Sequence, residues 1–504
     1  MTQTAAPHLV AALQQLADLR SVGGERWTEG LPQEVIEAFL PDETGLGCAI
    51  GMAHMRLEEL RAEYPELVDM DERAQIEHLQ DGIVNFYGHD LRNPYVALGA
   101  SGPWIVTTKG AVIHDSGGYG MLGQGHTPAG ALEAMNRPQA MANVMTASVS
   151  QRRIIDALRK ELGHTREGGC PFSGFLFMNS GSESVSVAAR IVDRNAKELT
   201  DPGGCYAGKK IRRLGLRGGF HGRTQRPAMY SDSGFKTYAS MLASFRDSEE
   251  VHTVEANNLD ALRAAYAQAE ADDVFIEALF MEPVMGEGNP GVALTRAFYD
   301  LARELTEKHG SLLFVDSIQA GLRAQGVLSI IDYPGFEDCA PPDLETYSKA
   351  LNAGQYPLSV LAMTPKAEAL FRTGMYGNTM TAAPRAMDVG SAVLASLDDA
   401  MRTNIRERGV EFVQMLKDLA AESDGAITDV TGTGLLVAAH LDPKRYKVHG
   451  ADSIETYMRT KGIGVIHGGE NALRFTPHFG VTTKELELVI DAVRDALESG
   501  PRID

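Results

Sequence analysis

Between about residues 170 and 365, short apolar runs alternate with amphipathic stretches. "GFLFMN" precedes a helical pattern, "KKIRRLGL" follows, "VFIEALFMEP" precedes a second helical pattern over about 298–309 closed by Gly310, and "SLLFVD" comes next. Such alternation leaves few folds open, because parallel strands must be joined by right-handed crossovers that lay helices on the sheet. The pattern predicts an α/β fold with a mostly parallel central sheet and helices on both faces. Ligands of such sheets collect at the carboxyl ends of the strands, and the polar motifs of this region each follow an apolar run. One run, Leu312 to Val315, stops on Asp316, and Lys349 follows 33 residues later (349 − 316).

The flanking regions differ. Residues up to about 100 read as helices and loops, from "EVIEAFL", "MRLEELRAE" and "ERAQIEHLQDGIVNFY", and carry no chemical motif. From about 104, "WIVTTKGAVIHD" is strand-like, and the glycine-rich stretch Gly117 to Gly125 leads into a long helical region. After about 375 a helix near 403–422, the strand-like "GLLVAAHL" and "NALRFTPH" and a last helix suggest a second, α+β unit. That last helix is well marked: Thr482 and Glu485 fit a capping box, Leu486, Val489, Ile490, Val493 and Leu497 form its stripe, and Gly500 with Pro501 stops it. The expected organisation is a helical segment over 1–100, a large ligand-binding domain over 101–375 whose first part contributes to the smaller one, and a small domain over 376–504.

Composition narrows the function. A chain of 504 residues, 44% hydrophobic and 23% charged, fits a globular enzyme. With 47 basic against 67 acidic residues the net charge is −20, a field that repels nucleic acid and anionic membranes and favours small-molecule partners. No segment approaches a membrane span, and "MTQTAAPHLVAALQQLADL" lacks the basic start and cleavage site of a secretory signal, so a cytoplasmic protein is expected. Cys48, Cys170, Cys205 and Cys339 are far apart, which argues against a metal or redox pair and for reduced, mostly packing residues. No metal site is expected.

The motifs after the apolar runs carry the chemistry. In "FLFMNSGSES" a strand turns into a helix start, where Ser180, Gly181 and Ser182 suit a phosphate. "GGFHGRT" offers Phe220 to stack on a flat ring and His221 to hydrogen-bond beside it. "FMEPVMGEGNPG" puts Glu282 and Glu287 after a strand, and Arg474 of "ALRFTP" can pair with Glu287. Asp316 ends a very hydrophobic strand, which is costly unless a cation such as a pyridinium nitrogen meets it, and Ile318 two residues on can cover one face of that ring. Lys349 lies between two strand-like runs in "DLETYSKALNAGQYPLSVLAMT". An acid for a pyridine nitrogen and a lysine for an aldehyde are the two residues that a pyridoxal phosphate enzyme needs. Each motif alone also has a structural explanation, as a helix cap, a loop aromatic, solvated loop charges or an exposed lysine.

In their order, "NSGSES", "FHGRT", "EPVMGEG", "VDSIQAG", "SKALNAGQYPLS", "GNTMTAAP" and "LRFTP" resemble the class III aminotransferases, fold type I pyridoxal phosphate enzymes that include ornithine, acetylornithine and 4-aminobutyrate aminotransferases. The likeness covers roughly residues 100 to 500. It implies that Lys349 forms the Schiff base, Asp316 partners the pyridine nitrogen, Ser180, Gly181 and Ser182 hold the phosphate, Phe220 stacks on the ring and Gln319 lies near the phenolic oxygen. It also implies that Thr379 reaches the phosphate of a neighbouring subunit in a homodimer with shared active sites, and that Glu287 gates Arg474 for a substrate carboxylate. Tyr119, in the glycine-rich stretch, is placed on the substrate side. The implied activity is ping-pong transfer of an amino group from an amine to a 2-oxo acid. An isomerase, racemase or decarboxylase begins from the same Schiff base, and a scaffold that has lost its chemistry is expected to lack the lysine or its acid. Ser317 stands where the family usually has an acid, Met285 where glutamine is common, and the N-terminal segment is longer than usual.

Overall fold

The computed structural model describes residues 7–141, 144–246 and 248–503. The first six residues of the segment read for a secretory signal lie outside them. The strand-and-helix alternation builds a seven-stranded sheet from β4 (Gly174–Met178), β5 (Lys210–Leu216), β6 (His252–Val254), β7 (Val274–Met281), β8 (Leu312–Asp316), β9 (Leu344–Tyr347) and β10 (Ser359–Met363). Their order is β4-β10-β9-β8-β7-β5-β6. β5, β6, β7, β8 and β9 pair in parallel, while β10 runs antiparallel to both β9 and β4. Two reversals cancel, so β4 runs the same way as β9 and six strands point their carboxyl ends to one edge. β7, β8 and β9 are buried along their whole length, as expected of strands covered on both faces.

The helices are set by the signals in the sequence. The helix Arg296–His309 starts on Thr295, whose hydroxyl accepts the Phe298 amide, buries Phe298, Leu301, Ala302 and Leu305, and ends at Gly310 with φ 70°, a conformation that glycine adopts without strain. Each apolar side chain of that size contributes about 1.5–3 kcal/mol on burial. The last helix, Thr483–Ser499, has its capping box in place: Thr482 Oγ1 accepts the Glu485 amide and Glu485 Oε2 accepts the Thr482 amide at 2.7 Å. Glu485 Oε1 also accepts from His114 at 3.0 Å and from His478 at 2.9 Å, which ties this helix to the strand that holds His114.

Two smaller sheets flank the large one. β1 (Ala97–Ser101), β2 (Trp104–Thr107) and β3 (Val112–Asp115) are joined by β13 (Ile463–Gly464), and β11 (Ile427–Thr433) and β12 (Leu436–Leu441) pair with β15 (Ala472–Phe475) and β14 (Ile466–Gly468). β1 straddles the expected end, near residue 100, of the segment read as helices and loops. Its alternation is masked by small residues, "ALGAS". The pattern "ERAQIEHLQDGIVNFY" is helical only over Glu72–Gln80, since Gly82 turns the chain at φ 78°. β6, three residues long, was too short to register as an apolar run. Cys48 and Cys205 are exposed, so half of the cysteines are not packing residues, and all four are free thiols. Among the described residues no helix is long and apolar enough to cross a membrane.

Candidate active site

The common carboxyl edge gathers the motifs. β4 runs out into Ser180, which caps the helix Gly181–Thr200; β5 leads into Phe220 and His221; β7 into Glu282; β8 ends on Asp316; and β9 is followed by Ser348 and Lys349. Thirteen residues line a cavity of about 190 Å³ there, among them Ser180, Gly181, Ser182, Phe220, His221, Glu282, Glu287, Asp316, Ile318, Gln319 and Lys349. Of the fourteen residues named from the sequence, only Arg474, Tyr119 and Thr379 are not in this lining. Arg474 touches it through Glu287, which its Nη1 meets at 3.0 Å. Tyr119, whose backbone has φ 50°, lines a second space with Tyr87 and Tyr95. Its neighbour Gly120 is the residue that faces Gln319 and Lys349. Thr379 is exposed on this chain and does not reach the cavity.

The floor is an acid held in place. Asp316 is buried; its Oδ2 lies 2.9 Å from His221 Nδ1 and its Oδ1 accepts the Ile318 amide at 3.1 Å. Glu282 accepts the amides of Phe220 at 3.0 Å and Gly286 at 2.9 Å, and burial pushes its carboxyl up to about 7 despite the pull of His221. Lys349 has φ 41°, a region that an L-residue occupies at a cost of about 1–3 kcal/mol, and its Nζ hydrogen-bonds Gln319 Oε1. Burial, aided by the charge of Arg474, lowers its amine to about 8. An amine so shifted is largely neutral just above that pH and is then a nucleophile or base. Burial would raise Glu287, but Arg474, Lys349 and Arg223 together draw it below the usual carboxylate range.

The donors present suit a flat, phosphorylated heteroaromatic group. The Gly181 and Ser182 amides open a 20-residue helix, where no preceding turn accepts them, and a helix start favours an anion. A side chain at Gly181 would come within 2.5 Å of Ile318 Cδ1, so glycine is what allows this turn to approach. Among the described residues the buried His221 Nε2 and Gln319 Nε2 have no hydrogen-bond partner. The Asp316 carboxyl on the cavity floor is of the chemistry that would meet a ring cation. Reading the sequence alone overlooked Arg223, whose guanidinium lies over the Phe220 ring at 5.5 Å and contributes to the charge felt by Glu287. It stood inside "FHGRT", beside residues that were singled out.

A family model described as aminotransferase class-III matches residues 87–497. The chain is similar to ornithine aminotransferase 2 of Staphylococcus aureus strain Mu50, 26% identical over 428 residues that cover 82% of this chain and 98% of the relative. It is also similar to ornithine aminotransferase of Saccharomyces cerevisiae, 25% identical over 417 residues, 80% of this chain and 93% of that one. Among solved structures it resembles ornithine aminotransferase from Toxoplasma gondii, with a TM-score of 0.73 at 21% identity over 88% of this chain and 97% of the other. A taurine:2-oxoglutarate aminotransferase from Bifidobacterium kashiwanohense superposes with a TM-score of 0.70 at 17% identity, over 84% and 97%.

Proposed function

The chain belongs to the class III aminotransferases, and from that premise we propose how its cavity divides the work of moving an amino group. Transamination with pyridoxal phosphate is the activity. When bound, the cofactor supplies an electron-withdrawing pyridinium ring that stabilises negative charge on the substrate carbon. Lys349 Nζ would bind its aldehyde and, once free, take the proton from the substrate carbon and return it. Asp316, oriented by His221 and the Ile318 amide, would keep the ring nitrogen protonated. Ser180, Gly181 and Ser182 would hold the phosphate, Phe220 and Ile318 would take the two ring faces, and Gln319 would donate Nε2 to the phenolic oxygen. Glu282 would support this floor from the Phe220 and Gly286 amides.

The observation that carries this reading is the convergence of Lys349, Asp316 and the Ser180–Ser182 helix start on one cavity. Substrates are amines and oxo acids, and because the relatives are named ornithine aminotransferases, ornithine is the first donor to try. Arg474 would bind a substrate carboxylate when Glu287 releases it, and Tyr119 would border the path of entry. We further read residues 101–375 as the cofactor-binding unit and 376–504 as a smaller one, and the assembly as a homodimer in which the exposed Thr379 serves the neighbouring site. Light scattering should give twice the chain mass; a monomer that turns over at full rate contradicts the shared site. The activity is tested by incubating the purified chain with single amino donors and then with 2-oxo acids. An oxo product and aminated cofactor are expected from the first half, and turnover that survives Lys349→Ala overturns the assignment.

A further inference from the structure

Glu345, in the middle of β9, is fully buried yet is not among the residues that line the cavity. Strand alternation turns it away from its neighbour Thr346, whose hydroxyl bonds Ser184 in the helix after β4. Its carboxylate gathers donors from both ends of a single loop. Oε1 accepts from Ser317 Oγ at 2.6 Å and from the Ile330 amide at 3.1 Å, and Oε2 accepts from Ser329 Oγ. The loop so closed, residues 317–330, begins at the residue after Asp316 and carries Ile318, Gln319 and Arg323.

The loop is held at other points as well. The Ser317 amide donates to Thr346 O at 3.0 Å, and Ser317 O accepts the Gly321 amide at 2.8 Å. Arg323, fully buried, donates to the carbonyls of Leu435 at 3.2 Å and Pro477 at 2.5 Å. None of these contacts fixes the Ser317 side chain; among the described residues its hydroxyl bonds Glu345. Ser317 stands where the family resemblance leads one to expect an acid, and here its hydroxyl donates to a carboxyl of the adjacent strand. A buried carboxylate with three donors is well satisfied, whereas removing it would leave three buried donors without an acceptor.

We propose that Glu345 is a positioning residue for the transfer reaction, clamping Ser317 to Ser329 and Ile330 so that Asp316, Ile318 and Gln319 are presented together to the ring that Lys349 holds. This rests on the transaminase reading of the cavity. The test is the dissociation constant of pyridoxal 5'-phosphate from the cofactor-free chain, measured by equilibrium dialysis, beside the thermal midpoint of the same samples. Partners that orient metal ligands typically cost about 10–100-fold in affinity when lost, and by the same logic Ser317→Ala and Glu345→Leu should each weaken cofactor binding by about tenfold. The double variant should bind no more weakly than Glu345→Leu, since both changes break one contact. Glu345→Gln, which keeps an acceptor for Ser317, should restore affinity to near that of the unchanged chain. Unaltered affinity in Ser317→Ala and Glu345→Leu, with only a lower thermal midpoint, would show plain packing and overturn the proposal. If Glu345→Leu does not fold, Ser317→Ala decides alone, with unchanged affinity counting against it. Failure of the unchanged chain to bind the cofactor would instead reject the reading of the cavity.

Discussion

Lys349 is unusual in backbone and in charge at once: a left-handed φ of 41° and an amine brought down to about 8 by burial and by Arg474. Because the lowered value favours the neutral form, its nucleophilicity should rise with pH through about 8 rather than through the ordinary lysine range near 10.4. Carbamylation by cyanate, followed by peptide mass mapping of the cofactor-free chain, should give a rate profile for Lys349 with a midpoint near 8; a midpoint above 10 would contradict the buried environment. Arg474 makes a second prediction. Its Nη1 holds Glu287 and the Gly286 carbonyl, at 3.0 and 2.6 Å; under the proposed role in binding a substrate carboxylate, its loss falls mainly on binding, with a smaller effect through the Lys349 amine that its charge helps to lower. Arg474→Ala should raise KM for a dicarboxylate acceptor on the order of 100-fold, with a smaller change in kcat. A fall in kcat alone would place Arg474 outside substrate binding.

The elements that present these residues are the strands of the large sheet, and much of their placement was legible. Leu312 to Val315 form an apolar run long enough for a buried strand, the capping box at Thr482 stands in the letters, and the segments after each run share an edge because parallel strands share a direction. What the chain concealed has physical causes. β1 is built of small residues with little alternation, β6 is three residues long, and Tyr119 has a left-handed backbone that no residue type announces. The buried partners of Glu345 come from positions 317, 329 and 330, which no local pattern links. Burial raises the Glu345 carboxyl to about 7, above the value of about 4.3 in an unfolded chain. The folded state therefore binds this proton more tightly, and the stability that it contributes is complete below about pH 4 and is lost as pH rises through about 7. Glu345→Gln should flatten the decline in unfolding free energy between about pH 4 and pH 7, measured by urea titration at several pH values. An unchanged slope would mean that the carboxyl titrates near its ordinary range.

At the scale of the molecule, three sheets are arranged so that one edge of the largest faces residues drawn from distant parts of the chain: Gly120 beside β3, Lys349 after β9 and Arg474 in β15. This is why motifs that are weak singly point to one chemistry together. The matched family accounts for residues 87–497, and the segment before it adds Ile76, Leu79 and Asn85 to the wall of the space next to Tyr119. The account depends on Lys349 being the residue that takes the cofactor. Borohydride reduction of the cofactor-loaded chain, followed by digestion and mass mapping, measures this directly. A phosphopyridoxyl group on Lys349, absent from Lys349→Ala, is the predicted result; a label on another lysine, or none on a chain that transaminates, would contradict it.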